Sequence, residues 1–164
     1  MRLLVVTNLT NIFYLTGFRG SAGVAVFGPS DACLWVDPRY ALQAREQTRG
    51  VEVIEEKAEL FKAVGRWVRR KKPRRVGYED ADLSCLDFRS LEREAGRLVR
   101  LEPVGEMVEE LRAVKSREEI ERIRQAGRLT AEVFAEVFPL VRPGVRESDL
   151  AAEIEYRIDR KSVV

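Results

Sequence analysis

Hydrophobic periodicity changes once along this chain, and that change limits the fold more than any other feature. Up to about residue 105, short apolar runs alternate with stretches whose apolar residues recur at helical spacing. Residues 3–6, Val24–Phe27 and Ala32–Val36 read as strands, the last two joined by the turn Gly28-Pro29-Ser30-Asp31. Asp37-Pro38 has the form of a helix start, an acid at the cap and proline at the first helical position. That helix, PRYALQAREQT, stops near Gly50, and VEVI follows as a strand. Leu60, Phe61, Val64, Trp67 and Val68 share one face of a second helix that ends before Pro73, and RVGY is the next strand. Ser84 and Asp87 open a third helix reaching about Gly96, and LVRL closes the series. Strand–helix alternation of this kind specifies an α/β layered domain over residues 1–105.

Residues 106–164 read differently. Only helix is expected there, and Ser116 with Glu119 forms a capping box. Behind it Ile120, Ile123, Ala126, Thr130, Val133, Phe134 and Val137 make one apolar stripe, broken at VRPG before a last helix near Ser148. Two helices do not easily bury that stripe against each other. Its large side chains are worth about 1.5–3 kcal/mol each when covered, so the stripe rivals the whole stability of a domain, about 5–15 kcal/mol. The expectation is a homodimer whose interface includes Ile123, Val133, Phe134 and Val137.

Gly17, Gly20 and Gly23 recur every three residues between an aromatic cluster and a run of β-formers. The dinucleotide fingerprint is G-x-G-x-x-G opening a helix, whereas here a strand follows, and no Gly-Lys-Ser/Thr occurs for the other phosphate loop. Two readings remain: positive φ in a tight connection, or a loop that approaches a ligand or another chain.

Composition narrows the chemistry. The chain has 164 residues and no histidine, which removes Ser-His and Cys-His nucleophile pairs, imidazole metal ligands and imidazole acid–base groups. Cys33 and Cys85 lack CxxC spacing and suit small core positions in a reducing cytoplasm. No apolar run approaches the ~20 residues of a membrane span, and MRLLVV lacks a cleavage site. A net charge of +2 argues against a dedicated nucleic-acid binder. The basic run RWVRRKKPRR, 66–75, has a phosphate-gripping look, but Trp67 belongs to a buried stripe and cations suit a helix C-terminus. The acid pairs Glu55-Glu56, Glu109-Glu110 and Glu118-Glu119 alternate with Arg as surface ion pairs do. Asp37 to Tyr40 is explained by capping, although Arg39 and Tyr40 are also placed to face a cleft.

Three stretches taken in order, NIFYLTGFRGSAGVAVF, WVDPRYALQA and VEELRAVKSREEIERIRQAGRLTAEVFAEVFPLVRPGVRESDLAAEIEY, resemble the Xaa-Pro aminopeptidase and prolidase family of creatinase-like, pita-bread metallopeptidases. The likeness runs from about residue 3 to 158. It implies a creatinase-like N-terminal domain, a mixed sheet flanked by helices, followed by a helical linker and the first helices of a catalytic domain. In such proteins two Asp, one His and two Glu hold two divalent metals (Mn, Co or Zn), and metal-bound hydroxide attacks the carbonyl ahead of proline. The family's leading helix is missing here, no family ligand position is reached, and DRKSVV does not resemble what normally follows EIEYR. The resemblance therefore implies a truncated member with no catalytic residue, metal ligand or cofactor of its own, and peptide substrate only for the full-length parent. It further implies that the N-terminal domain builds the dimer and overhangs the partner subunit's active site, with Phe18, Arg19, Ser21, Arg39 and Tyr40 near substrate in trans. A plain strand connection, a non-catalytic protein-binding module and a creatinase-type hydrolase that uses no metal stay open beside that reading.

Overall fold

The computed structural model describes residues 2–162, and contacts divide the chain into two units, Met1–Ala113 and Val114–Val164. In the first, β1 (Arg2–Val6), β2 (Val24–Phe27), β3 (Ala32–Val36), β4 (Glu52–Glu55), β5 (Arg75–Tyr78) and β6 (Arg100–Pro103) form one mixed sheet in the order β4-β3-β2-β1-β5-β6. β2 is antiparallel to both neighbours, and a four-residue turn returns the chain from β2 directly into β3. The other three pairings are parallel. Such pairs need a crossover, and the helices α2 (Ala41–Gln47), α3 (Leu60–Lys71) and α4 (Cys85–Ala95) supply it.

Side-chain alternation assigns two cores. Val24 and Val26 of β2, Cys33 and Trp35 of β3, and Leu3 and Val5 of β1 meet Val64 and Val68 of α3 and Leu91 of α4. On the opposite face Val6, Ala25, Leu34 and Val36 meet Ile12, Phe18, Ala41 and Ala44. A period of two in the strands thus feeds both layers. Trp35 lies edge-on to Trp67 at 5.3 Å, so Trp67 sits on the packed face of α3 as its spacing implies.

The expected strands and helices of this unit appear, with β6 two residues later than LVRL. One element is additional, α1 (Leu9–Thr16), and α5 (Met107–Ala113) falls inside the stretch where helix is expected. α1 is capped by Asn8, whose side chain accepts from the N–H groups of Thr10 and Asn11, and ends at Gly17 in the left-handed region with φ 83°. α5 belongs to the first unit, which places the division one short helix later than the boundary expected after residue 105.

The second unit holds α6 (Arg117–Val137), opened by the expected Ser116/Glu119 capping box, and α7 (Glu147–Ser162). The two pack together. Arg157 of α7 pairs with Glu136, and Lys161 pairs with both Glu132 and Glu136 of α6. Val133 and Val137 are buried, whereas Ile123 and Phe134 stay exposed. That corrects half of the expected interface: Val133 and Val137 are already covered within the chain, and only Ile123 and Phe134 remain for a partner. No helix among the described residues is long and apolar enough to cross a membrane.

Candidate functional site

The glycine-spaced loop 17–23 and the turn Pro38–Tyr40 meet beside the C-terminal end of α1. The three glycines do different jobs. Gly17 takes the positive φ that terminates α1, with its N–H donating to the Phe13 carbonyl at 2.8 Å. Gly20 makes room instead: a Cβ there would fall 2.1 Å from Cζ of Phe18. At Gly23 a Cβ would stand 3.2 Å from the same ring and 3.4 Å from the Trp35 carbonyl oxygen. The loop is folded down over the Phe18 ring.

Phe18 is therefore core, 1% exposed, and its ring meets Tyr40 edge-on at 5.9 Å. The expectation that it projects toward a substrate is corrected. With no side chain at position 20 the backbone closes over the ring, and burying a phenylalanine is worth about 1.5–3 kcal/mol. The remaining four candidates do reach the surface, and the Phe18 ring supports Tyr40 from below. Ser21 and Tyr40 share a hydroxyl–hydroxyl hydrogen bond. Arg39 donates twice to Asp37, through Nε at 3.2 Å and Nη2 at 2.8 Å, and its guanidinium lies 5.6 Å from the Tyr40 ring centre. The Arg39 hydrogen bond holds the Asp37 carboxyl below the ordinary carboxylate value. Asp37 also caps the turn by accepting from the Arg39 N–H. Arg19 donates its backbone N–H to Gln47 Oε1 at 2.9 Å and sets its guanidinium 5.1 Å from the Phe13 ring centre. Leu9, Phe13 and Tyr14 are exposed on the same helix. The arrangement offers two cations, a hydroxyl pair and aromatic faces: groups that bind and orient a chain, without a nucleophile and its base.

A second constellation had no signal in the sequence. Glu79, 3% exposed, follows β5 and accepts from the Thr7 N–H at 2.6 Å, the Asn8 N–H at 2.7 Å and Asn11 Nδ2 at 2.7 Å. Asn11 in turn donates to Glu109 Oε1 and accepts from Arg112 Nη1, both on α5. A carboxylate at the N-terminus of α1 complements that helix end, and each of its oxygens is satisfied, as a buried charge requires. This network holds α5 to the sheet domain. A pattern of apolar residues cannot reveal a polar pairing that spans 68 to 101 residues of sequence.

Cys33 is inert: burial and the neighbouring Glu52 carboxylate push its thiol up to about 11. Among the described residues no three His, Cys, Asp or Glu side chains gather to hold a metal ion. The buried carboxylate, Glu79, is engaged by N–H donors rather than aimed with others at a common point. The residues present do not fit a divalent metal.

The family model for the Creatinase/Prolidase N-terminal domain matches residues 1–114, and that for Metallopeptidase family M24 matches residues 121–163. Among curated proteins, the "Uncharacterized peptidase YqhT" of Bacillus subtilis is 33% identical over 153 residues, covering 93% of this chain and 43% of that protein. Among solved structures, an X-Pro aminopeptidase from Thermotoga maritima superposes with a TM-score of 0.85 at 26% identity, over 98% of this chain and 47% of that one. The N-terminal domain of the cytoplasmic peptidase PepQ from Mycobacterium tuberculosis gives 0.62 at 27% identity, over 66% of this chain and 85% of that one. The chain thus spans less than half the length of the two longer relatives.

Proposed function

Because the chain belongs to the creatinase/prolidase family, with an N-terminal domain of that type running directly into an M24 metallopeptidase segment, we propose that it serves as the dimerisation and substrate-access part of a metal-dependent Xaa-Pro peptidase. On its own it is inactive. The observation that carries this reading is the order of the two matches along one chain, joined to a surface that has binding groups and no catalytic pair. Arg19, Ser21, Arg39 and Tyr40 contact peptide held in a partner subunit's site, and Phe18 positions Tyr40 from beneath. In a complete M24 metallopeptidase domain two divalent metals would supply the activated water; the residues described here bind and orient. A cytoplasmic location accords with the name of the PepQ relative.

Assay of the purified chain on Xaa-Pro peptides with Mn²⁺, Co²⁺ or Zn²⁺ tests the claim of inactivity. The expected result is no turnover above buffer. Turnover that survives repurification contradicts it. The access role is tested in the same chain extended by the catalytic half of the Bacillus subtilis relative. There Arg39→Ala and Tyr40→Phe should raise KM with little change in kcat, and an unchanged KM contradicts the role.

A further inference from the structure

The basic run 66–75 divides in the structure. Arg66 reaches Glu56 at 3.8 Å, and Lys71 pairs with Asp31 while lying over the Trp67 ring at 4.9 Å. Those cations are matched by the domain's own carboxylates and aromatic ring. Arg69, Lys72 and Arg74 have no ion-pair partner among the described residues. Together with Arg97, which arrives from the α4–β6 loop, they line one cavity of about 470 Å³ with no carboxylate in its wall. Pro73, Val99 and Leu98 form its apolar part, and Leu98 is 96% exposed. Arg69 lies across Gly96, with Cδ and Nε 4.0 Å from where a Cβ would stand. Lys72 holds φ 50°, the one positive-φ residue other than glycine among the described residues.

The ordinary explanation for cations here is the helix dipole, since α3 and α4 both end at this cavity. Each helix end carries about half a negative charge. Two such ends offset roughly one of the four cations and leave a strongly positive concavity. Arginine forks match phosphate oxygens two at a time, which ammonium groups do not. The volume lies within the range of small-ligand sites, about 300–1,000 Å³. The cations converge on one hollow rather than tracking a strand, and the whole chain carries only +2, so a compact anion suits the site better than a nucleic acid.

We propose that Arg69, Lys72, Arg74 and Arg97 form a binding site for a small phosphate-bearing ligand with an apolar body, of the nucleoside di- or triphosphate class. The phosphates face the guanidinium groups and the ring system rests on Leu98, Pro73 and Val99. The site stands independently of the peptidase reading.

Titration of the full chain with a fluorescent ATP derivative and with pyrophosphate, at 150 mM salt, tests it. The nucleotide should bind saturably at one site, and pyrophosphate at least about fivefold more weakly because it lacks the apolar body. Arg69→Gln with Arg97→Gln should lower nucleotide affinity at least about tenfold without moving the melting transition, since both side chains are exposed. Arg146→Gln, elsewhere on the surface, should change nothing. If the double variant melts differently, Arg97→Gln alone, in a loop, should still weaken binding several-fold. Absence of saturable binding, equal affinity of the variants and the parent, or pyrophosphate binding as tightly as nucleotide would each overturn the proposal. So would a single-stranded oligonucleotide that displaces the nucleotide and binds far more tightly than it.

Discussion

The two units of this chain solve the problem of burial differently. In the first, both faces of a six-stranded sheet are covered, with Trp35, Phe18, Ile12, Leu34 and Leu91 all inside, and its buried carboxylate has a donor at each oxygen. In the second, Val133 and Val137 are the buried hydrophobic residues among those described, while Ile120, Ile123, Phe134, Phe138, Val141, Ile154 and Tyr156 are exposed. Three ion pairs join α6 to α7, and exposed ion pairs contribute little on their own. Apolar burial makes the sheet unit self-sufficient, whereas the helical unit keeps an apolar surface that calls for a cover. Among the described residues the shaped loop and the cationic cavity without carboxylates both belong to the sheet unit.

The largest effect is expected where the loop loses the ring beneath it. Phe18→Ala should cost the sheet unit about 3–5 kcal/mol, as buried aromatic truncations do, read as a drop in the denaturant midpoint. A loss below 1 kcal/mol would mean that the loop does not depend on that ring. Next comes Glu79→Gln, whose neutral amide accepts from Thr7 and Asn8 more weakly than a carboxylate and sets its NH2 against the Asn11 NH2, which donates to the other oxygen. The expected cost is about 1–3 kcal/mol for each stranded N–H. Charge removal on α6 by Glu136→Gln should leave the main transition where it was. Equal effects of the two Glu→Gln changes would erase the distinction between the units.

Acid should loosen the ion pairs of the helical unit. Hydrogen bonds from Lys161 and then Arg157 hold the Glu136 carboxyl below its ordinary 4.5. A depressed carboxylate contributes stability that is present above its unfolded value and is lost as pH falls through its folded one. Protonation should therefore release the pairs of Glu136 with Lys161 and Arg157 only below pH 4.5, read as the carboxyl chemical-shift titration of Glu136, and a midpoint at or above 4.5 would contradict the pairing. The smallest effect is expected for Ile123→Ser with Phe134→Ser. Both side chains are exposed, so monomer stability should change by less than about 0.5 kcal/mol, while light scattering should report a homodimer becoming monomer.

Much of the sheet unit was legible in the sequence because its signals are local. The apolar runs VAVF and ACLWV, the Asp37-Pro38 start and the stripe of α3 each sit within one element. α1 was not legible from periodicity, since Ile12, Phe13 and Tyr14 are poor helix formers and the flanking marks, Asn8 and Gly17, were masked by the glycine pattern behind them. Phe18 was misplaced for a related reason. The exposed loop is visible in the sequence, but the ring beneath Gly20 depends on β2 and β3 closing over it. Glu79, Asn11 and Arg112, like Arg97 with Arg69, meet only after the sheet has ordered its strands. The comparisons with known proteins agree with the family resemblance carried by YLTGF, DPRY and VKSREEI.

Amide hydrogen exchange on the dilute, monomeric chain measures the difference between the units directly. The account predicts that β1, β2, β3 and β5 exchange only through global unfolding, while α6 and α7 exchange at least about a hundredfold faster, a gap of about 2.7 kcal/mol. Protection of α6 and α7 equal to that of the sheet, in a monomer, would contradict it.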